Sequence, residues 1–404
     1  MQHQVFEGVK VADFSWIAAG PWTTKYLADH GATVIKMESE SRPDMLRACP
    51  PYKGDVPGMN RTSYFTMYNN NKYSMHLNLN LPRGIEVAKR VVAWADVVAE
   101  SFGPGRMKLW GLDYEELKKV KPSIIMYSTT QQGQTGPGAS QPGFGTQLTS
   151  LAGFTYLTGW PDREPSLPYG AYTDTIAPRL ATAALIAALD YRRRTGKGQY
   201  IELSQFEAAV HFISPVILDY QVNGNIAQRK GNLSSIAVPH GAYPCRGDDR
   251  WCVIAAYTEQ EWQCLCTTMG NPIWTRDLKF ATLIDRKKNE EELNVLISEW
   301  TMLYNAEEVM IRLQEAGVPA GVVETAEDIY SDPQLQHRHH FWKLVHPEMG
   351  EHSYNSPSFR LSKTPCQLDR PAPCLGQHTE YICTQVLGMT DEEFVELLTE
   401  GVLQ

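Results

Sequence analysis

The chain has 404 residues, of which 43% are hydrophobic and 21% charged, and it contains 30 glycines and 25 prolines. This composition excludes disordered and collagen-like classes and predicts a globular enzyme of two or three domains. The formal net charge of -9 argues against nucleic acid as the main partner, because binding to phosphate backbones requires a basic surface.

The N-terminal stretch MQHQVFEGVKVADFSW lacks the charged and apolar regions of a signal peptide, and no apolar run approaches membrane-spanning length. We therefore expect a cytoplasmic protein with no membrane partner. The eight cysteines are scattered, and the closest pair, Cys264 and Cys266, has one intervening residue where zinc and redox motifs usually have two. Reduced, mostly structural thiols are expected.

The N-terminal part of the chain alternates strand and helix patterns. VKVADFS and TVIKME are typical of strands, and between them PWTTKYLADHGA predicts a helix with Pro21 as its first residue. The same alternation predicts a helix over 82–94, a strand at DVVAES, a helix near 114–119 and a strand over 123–129. Apolar strands that alternate with helices indicate a mostly parallel sheet covered on both faces.

The pattern changes twice in the rest of the chain. Residues 131–178 are rich in Gly, Pro and Ser, and loops of this length are usually functional. RLATAALIAALDYRRR then predicts a helix, TGKGQ its end and YIELS a strand. From about residue 225, GAYPCRGDDRWCVIAA predicts a hairpin followed by several helices, which indicates a second, smaller α+β domain.

Three common kinds of site are not supported by the sequence. The turn SWIAAGP holds only Gly20 where dinucleotide-binding folds need three glycines, although Glu38 follows the second strand. The cluster HRHH at 337–340 has no supporting carboxylate and carries Arg338 where a cation would bind, so we expect a solvated surface and no metal. No G-x-S-x-G elbow for a catalytic serine is present.

Asp174 has two interpretations. An aspartate just before an apolar helix is most often an N-cap. However, Pro178 is the predicted first helical residue, which would make Ala177 the cap and place Asp174 on a loop upstream. There the positive end of the helix would keep Asp174 ionised, and its small neighbours Gly170 and Ala171 would leave room for an acyl group. Asp174 is therefore also a candidate nucleophile.

A family resemblance is carried by stretches spread along nearly the whole chain. They are FEGVKVADFSWIAAGP, GATVIKMES, NNNKYSMHLNLNLPRG, ADVVAESFGPGRMKLWGLDYE, Asp174 followed by AALIAALDYRRRTGKGQYIEL, AGVPAGVV, DPQLQHR and APCLGQHT. This set resembles the class III CoA-transferases, the formyl-CoA and carnitine CoA-transferase family. TTKYLADHGATVIKMES, PPYKGD and GAYTDTIAPR are most similar to the subunits of benzylsuccinate CoA-transferase.

The resemblance implies an architecture. A large Rossmann-like CoA-binding domain with a parallel sheet is expected over 1–224, a small α+β domain over 225–328, and a segment over 329–404 that returns to complete the large domain. The family forms an interlocked, ring-like dimer in which each chain threads the other. The expected partner is a second copy of the chain or a homologous subunit in a heterodimer or heterotetramer.

The resemblance also implies a reaction. The family's aspartate that matches Asp174 attacks an acyl-CoA thioester and forms a mixed anhydride, which the CoA thiolate converts into an aspartyl-CoA thioester; the acceptor acid then reverses these steps. The expected co-substrate is coenzyme A as its thioester, with no metal. The expected donor is succinyl-CoA, and the expected acceptor is an aromatic or substituted succinate such as benzylsuccinate.

Residues that match the family's CoA contacts follow from the same resemblance. They are Trp16, Ile17, Ala18, Leu77, Asn78, Leu79, Asn80, Ser101, Phe102, Gly103, Gly143, Phe144, Gly145 and Thr146. Four basic residues of the formyl-CoA enzyme are absent, and Ser39, Asn80, Leu109 and Gly143 stand in their places. Because CoA is strongly anionic, nearby cations are expected to substitute for them. The candidates are Arg42, Arg47, Lys72, Arg106 and Lys108.

Other departures bear on specificity and leave alternatives open. Pro178 replaces a family glycine, and the glycine-rich loop that shields the formyl enzyme's intermediate is missing, which favours a larger acyl pocket for a bulky or aromatic acid. The α-methylacyl-CoA racemases of the family carry a base histidine where Gly143-Phe144-Gly145 stands here, so racemisation is not expected. The remaining alternatives are a weakly active or non-catalytic subunit of a hetero-oligomer, and a CoA- or nucleotide-binding module without chemistry.

Overall fold

The structure is a computed structural model that describes residues 3–404. The strands are β1 (Lys10–Asp13), β2 (Thr33–Glu38), β3 (Lys72–His76), β4 (Val97–Glu100), β5 (Ile125–Thr130), β6 (Tyr200–Ser204), β7 (His240–Pro244), β8 (Trp251–Ala255), β9 (Ala320–Val322), β10 (Phe341–His346) and β11 (Gly350–Asn355). The α-helices are α1 (Ala19–Ala28), α2 (Ser63–Asn69), α3 (Pro82–Trp94), α4 (Arg106–Leu109), α5 (Tyr114–Val120), α6 (Gly145–Leu151), α7 (Phe154–Leu157), α8 (Tyr172–Thr195), α9 (Gln205–Val210), α10 (Ser214–Asn223), α11 (Glu259–Thr268), α12 (Leu283–Lys288), α13 (Glu290–Thr301), α14 (Ala306–Glu315), α15 (Ala326–Ser331), α16 (Pro333–His337), α17 (Thr379–Tyr381) and α18 (Asp391–Thr399). Short 3-10 turns cover Met45–Ala48, Lys53–Asp55, His211–Ile213, Ile273–Arg276 and Leu278–Phe280, and a π-helical turn covers Ile382–Val386.

The chain folds as two compact units. The first comprises the residues up to Tyr156, Ser166–Ala227 and Gln334–Gln404, and the second comprises Leu157–Pro165 and Gln228–Pro333. The predicted domain boundaries at 224 and 328 lie near two points where the chain passes from one unit to the other, after Ala227 and before Gln334. Residues 157–165 were expected in the large domain but group with the second unit, where the N–H of Gly231 donates to the carbonyl of Gly159 (2.9 Å).

The first unit is built on a six-stranded parallel sheet with the order β3-β2-β1-β4-β5-β6. In the register, Val11 pairs with both Val34 and Val97. The chain reverses its direction across the sheet between β1 and β4, and ligands of such sheets bind at the carboxyl ends of the strands beside this point. The predicted Rossmann-like α/β class is confirmed, whereas the interlocked dimer stays a prediction.

Both faces of this sheet are covered, as continuous apolar strands require. On one face, Val11 and Ile125 pack with Leu27 of α1 and Leu185 of α8. On the other face, the next residues along the strands pack with α3 and with residues from the C-terminal end of the chain. The members of this second cluster include Ala12, Val98, Met126, Val87, Val91, Ile382 and Leu397. The C-terminal segment therefore completes the core of the first unit.

The second unit contains the antiparallel sheet β7-β8-β9. The predicted hairpin is present, and its strands β7 and β8 pair with Tyr243 opposite Cys252. Helices α11, α13 and α14 bury Leu265, Leu293 and Leu313 in the same core. Within residues 3–404, no helix is both long and apolar enough to cross a membrane.

Candidate active site

Asp174 lies in the first turn of α8, after the N-cap Ala171. The predicted helix start at Pro178 is wrong, because α8 begins at Tyr172 and continues through Pro178. A proline inside a helix removes one backbone bond, here the one that would reach the carbonyl of Asp174. The Asp174 carboxylate accepts no hydrogen bond from residues 3–404, so its side chain does not cap the helix.

The backbone of Gly145, at the start of α6, lies directly against the Asp174 carboxylate. A Cβ atom at residue 145 would fall 2.6 Å from Oδ2 and 2.8 Å from Cγ of Asp174, and 2.5 Å from Cβ of Ala171. The hydroxyl of Thr173 donates to the carbonyl of Gly145 (3.3 Å) and ties the two helix starts together. Only glycine allows this approach, since every other residue carries a Cβ atom.

The Asp174 side chain opens into a cavity of about 420 Å³ at the carboxyl ends of β1, β4 and β5. The structure brings together three of the predicted groups around it: Trp16–Ala18 after β1, Ser101–Gly103 after β4, and Gly143–Thr146 at the start of α6. Ser101 joins the first two groups, because its hydroxyl accepts the N–H of Trp16 (2.9 Å). The cavity therefore lies at the switch point where the strand order predicts a ligand.

A second cavity of about 310 Å³ shares Trp16, Phe102 and Gly103 with the first. Leu77–Asn80 after β3 line it, and so do the arginines Arg42 and Arg106. The two cavities adjoin at these shared residues, and together they are called the cleft here. One half of this cleft holds Asp174, and the other half carries cations suited to an anionic ligand.

The aromatic wall between these halves is a row of three rings. Trp16 meets Phe102 edge to face, with ring centroids 5.5 Å apart, and Phe102 meets Trp110 in the same way at 5.2 Å. The guanidinium of Arg106 lies 5.9 Å from the Trp110 ring centroid. Such edge-to-face contacts fix ring orientations, so this wall gives the middle of the cleft a defined shape.

Two of the predicted cations do not take the expected place. Arg47 is fully buried and pairs with Glu38 (2.8 Å), and Lys72 is fully buried and pairs with Asp13 (3.0 Å). Burial lowers the pKa of Lys72 to about 8. Lys108 lines a third cavity, which shares Gly103 and Arg106 with the second, and its contact with CoA stays a prediction. A buried charge that is paired with a buried carboxylate is not available to a ligand, so Arg47 and Lys72 do not offer a free charge, and neither of them lines the two cavities.

The turn at Ile17 is strained, and Asp44 holds it. Ile17 has φ = 66°, a left-handed conformation that β-branched residues rarely adopt. Its N–H donates to both carboxylate oxygens of Asp44 (3.2 Å each), and the fully buried Asp44 also pairs with Lys36 (3.0 Å). Sequence reasoning missed Asp44, because its role depends on contacts between residues that are distant along the chain.

We expect Asp44→Asn to lower the free energy of unfolding by about 3 kcal/mol, since Lys36 would lose the carboxylate with which it forms a buried ion pair. Urea unfolding followed by circular dichroism measures this change. The matched control is Asp190→Asn, which removes an exposed carboxylate paired with Arg193 (2.9 Å) and is expected to cost under about 1 kcal/mol. If the two variants lost the same free energy of unfolding, Asp44 would not be important for the turn.

Several cavity residues were not predicted, although their positions carry a signal. Thr129, Thr130 and Gln131 follow or end β5, and Gln205 follows β6. Residues at the carboxyl ends of neighbouring parallel strands meet at one edge of the sheet. The strand predictions alone therefore indicated these positions, but the family resemblance drew attention to other loops.

Burial raises the pKa of the Asp174 carboxyl from its ordinary value of 3.8 to about 6. Removal from water is the cause, and among the described residues that line the cavity no side chain is cationic. The positive end of α8 therefore does not keep this carboxylate as acidic as the sequence suggested. At pH 7 the carboxylate still predominates, and its higher basicity suits a nucleophile.

The residues from 6 to 379 match the family described as CoA-transferase family III. The chain belongs to CoA-transferase family III. It is 34% identical over 399 residues to a succinyl-CoA–D-citramalate CoA-transferase of Chloroflexus aurantiacus, with 98% of both chains covered. It is 29% identical over 403 residues to the beta subunit of a succinyl-CoA–L-malate CoA-transferase of the same organism, with 98% of this chain and 97% of the relative covered.

Solved structures agree with this assignment. A CAIB/BAIF family protein from Brucella suis superimposes with a TM-score of 0.88 at 32% identity, over 95% of this chain and all (100%) of the other. This family III CoA-transferase therefore uses a CoA thioester as its co-substrate. Within residues 3–404, no group of three or more His, Cys, Asp or Glu side chains is arranged to hold a metal ion.

Proposed function

We propose that Asp174 is the nucleophile of CoA transfer from succinyl-CoA to a second carboxylic acid. The observation that carries this proposal is the Asp174 carboxylate itself, which opens into the cleft without a hydrogen-bond partner from residues 3–404 and has a pKa raised by burial to about 6. A partly buried carboxylate that neither caps a helix nor forms an ion pair has no evident structural role. A basic carboxylate in a cavity is suited to attack on a thioester.

The proposed reaction begins with the Asp174 carboxylate attacking the thioester carbonyl. The C–S bond breaks, CoA leaves as a thiolate, and a mixed anhydride between Asp174 and the acyl group remains. The thiolate then attacks the Asp174 carbonyl and releases the donor acid, which leaves an aspartyl-CoA thioester. The acceptor carboxylate attacks this thioester, and the same steps in reverse deliver CoA to the acceptor and restore Asp174.

The start of α6 is the proposed oxyanion-stabilising element. The N–H groups of Gly145 and Thr146 belong to the first turn of this helix, where backbone donors have no intrahelical acceptor. Both residues line the cavity, and Gly145 lies against the Asp174 carboxylate. Donors fixed in advance beside a reacting carbonyl stabilise the negative charge that develops in each tetrahedral intermediate.

We propose that the cleft binds CoA with its anionic end towards Arg42 and Arg106 and its thioester towards Asp174. These two exposed arginines line the half of the cleft that is remote from Asp174, and Trp16, Phe102 and Gly103 border both halves. The sequence suggested four substitutes for the missing family cations besides Arg42. Among the described residues, only Arg106 of those four lines the same cavity as Arg42.

We propose an aromatic or substituted succinate, such as benzylsuccinate, as the acceptor. The relatives named above pair succinyl-CoA with D-citramalate and L-malate, which are both dicarboxylic acids. Apolar side chains around the Asp174 cavity, including Ile17, Leu46 and Phe144, would accommodate a ring attached to the succinate frame. This wall supports a bulky acceptor, in keeping with the absence of the glycine-rich loop.

Transfer assays test this proposal directly. The protein is incubated with succinyl-CoA and, in parallel, benzylsuccinate, malate, citramalate, glutarate or acetate, and the new CoA thioesters are identified by mass spectrometry. We expect the highest kcat/KM for benzylsuccinate. Faster transfer to acetate than to every dicarboxylic acid would overturn the proposed acceptor class, and no transfer from succinyl-CoA to any acid would overturn the proposed donor.

The alternatives have separate tests. Racemisation needs a second base, and among the described residues that line the Asp174 cavity no histidine is present. A non-catalytic subunit would recover activity only with a homologous partner, and the relatives include a subunit of a malate CoA-transferase, so co-purification of a homologous chain is informative. A binding module without chemistry would show a CoA-dependent thermal shift and no turnover.

The pH profile of the first half-reaction is expected to follow Asp174. A nucleophilic carboxylate must be ionised, and burial raises its pKa to about 6. The rate of Asp174 acylation by succinyl-CoA should therefore be constant above about pH 7 and fall about tenfold per pH unit below about pH 5. Single-turnover release of CoA thiol measures this rate. A profile that stays flat down to about pH 4 would contradict the raised pKa.

A further inference from the structure

Three residues that line the Asp174 cavity have a buried side-chain oxygen without a hydrogen-bond partner within residues 3–404. They are Thr129, which is 1% exposed, and the pair Thr130 and Gln205, whose unpartnered atoms are Oγ1 and Oε1. Thr130 is 8% exposed and Gln205 is 9% exposed, and both line the cavity that holds Asp174. Buried polar atoms in folded proteins are nearly always hydrogen-bonded, so such a pair facing a ligand cavity points to a partner that the ligand supplies.

The backbone places these two residues near each other, at the ends of neighbouring strands. The parallel register of β5 and β6 pairs Thr130 with Ser204, the residue just before Gln205. Gln205 begins α9, whose first turn is fixed because the Ser204 hydroxyl accepts the N–H of Glu207 (3.2 Å). The N–H of Phe206 also donates to the carbonyl of Gln131 (2.8 Å) and joins the ends of the two strands. The pair is therefore held on rigid elements and is not part of a loop.

The chemistry of the pair suits an anionic oxygen group. A threonine hydroxyl donates one hydrogen bond, and a glutamine side-chain amide donates from Nε2, which takes the place of Oε1 when the amide rotates by about 180°. Among the described residues that line this cavity no side chain is cationic. A ligand carboxylate in this half of the cleft must therefore be bound by neutral donors such as these.

We propose that Thr130 and Gln205 bind the distal carboxylate of the succinyl group and thereby select dicarboxylic over monocarboxylic acyl groups. This inference rests on the proposed function, because the succinyl frame is common to the proposed donor and to benzylsuccinate. When Asp174 becomes acylated it loses its charge. The distal carboxylate then lies in a cavity where the described lining side chains carry no competing negative charge.

Binding and turnover of two thioesters test the inference. Butyryl-CoA has a methyl group where succinyl-CoA has its distal carboxylate. We expect Thr130→Val and Gln205→Leu each to weaken succinyl-CoA binding by about 10- to 100-fold, the loss of one hydrogen bond to a charged group. Butyryl-CoA binding should change less than about threefold. Isothermal titration measures both dissociation constants, with each substitution made in the Asp174→Asn background so that the thioester binds but cannot react.

The control variant is Gln385→Leu, which changes an exposed glutamine outside the cavity and should leave both dissociation constants unchanged. Equal weakening of both thioesters in Thr130→Val and Gln205→Leu would overturn the inference, and so would no weakening of either. Failure of the proposed function has a different signature. In that case the wild type would bind succinyl-CoA more tightly than butyryl-CoA through this pair, yet would transfer CoA from neither.

Discussion

Replacing Asp174 with asparagine is expected to lower the rate of CoA transfer by at least about 10³-fold, because the amide cannot form the anhydride or the aspartyl-CoA thioester. Arg42 and Arg106 line the other half of the cleft, away from the changed residue. CoA binding should therefore persist. We expect kcat to fall, whereas the dissociation constant for CoA should change little.

The same substitution is expected to stabilise the fold at about pH 8. Burial raises the pKa of Asp174 from 3.8 to about 6, so the folded chain binds this proton more tightly than the unfolded chain. The resulting destabilisation is absent below pH 3.8, develops between the two pKa values and is complete above about pH 6. The substitution would remove it, and because the side chain is only partly buried we expect a gain of about 1–2 kcal/mol.

The sign of this stability change separates the two interpretations of Asp174. Loss of a helix cap would destabilise the protein by about 1 kcal/mol, whereas removal of a partly buried, unpaired carboxylate stabilises it. Urea unfolding at the same pH measures the difference. Asp190→Asn serves as the control on the same helix, because Asp190 is exposed and pairs with Arg193 and Arg194 (2.9 and 2.8 Å).

Intact mass after incubation with succinyl-CoA and then hydroxylamine provides the chemical readout for Asp174. A hydroxamate on the peptide that contains Asp174, present in the wild type and in Asp190→Asn but absent from Asp174→Asn, is the expected result. Undiminished CoA transfer by Asp174→Asn would contradict the proposed nucleophile. If Asp174→Asn lost activity because it did not fold properly, its urea midpoint would be lower than that of the wild type and not higher.

The second large effect is expected from Gly145→Ala. The added methyl group would fall 2.6 Å from Oδ2 of Asp174 and 2.5 Å from Cβ of Ala171, which is well inside van der Waals contact. Either the carboxylate or the start of α6 must move. Because a displacement of about 1 Å at a reacting group lowers rates about 100-fold, we expect kcat to fall by about 100-fold or more.

The control for this variant is Gly321→Ala in β9 of the second unit. Its added Cβ would lie 3.6 Å from Cγ2 of Val253, an ordinary contact. Neither glycine has a positive φ, so backbone strain does not separate the two variants. Steady-state kinetics and urea unfolding should show near-normal values for Gly321→Ala. Full activity in Gly145→Ala would mean that the contact between Gly145 and Asp174 is not required for transfer.

Local patterns in the sequence determined the parallel sheet and the position of the site along the chain. The apolar strands at 10–13 and 125–130 and the helix at 82–94 were predictable, because apolar runs and helical periodicity are properties of neighbouring residues. The resemblance added the family and drew attention to Asp174. It also indicated the three loops that surround the first cavity.

Only the tertiary structure decided which charges are free. Arg47, Lys72 and Arg106 are equivalent as cations in the sequence, yet the first two are fully buried in ion pairs with Glu38 and Asp13. Arg106 is exposed beside the cleft. Whether a cation reaches a ligand depends on acidic partners that are distant along the chain, and no local pattern records these partners.

The same reason applies to Asp174. The sequence placed it on a loop because Pro178 is typical of a helix start, but α8 begins at Tyr172 and passes through the proline. Its raised pKa comes from burial beside the start of α6, a segment that lies well upstream in the chain. Thus the sequence by itself determined that a carboxylate stands at position 174. Folding determined how basic that carboxylate is, because burial depends on the packing of the whole unit.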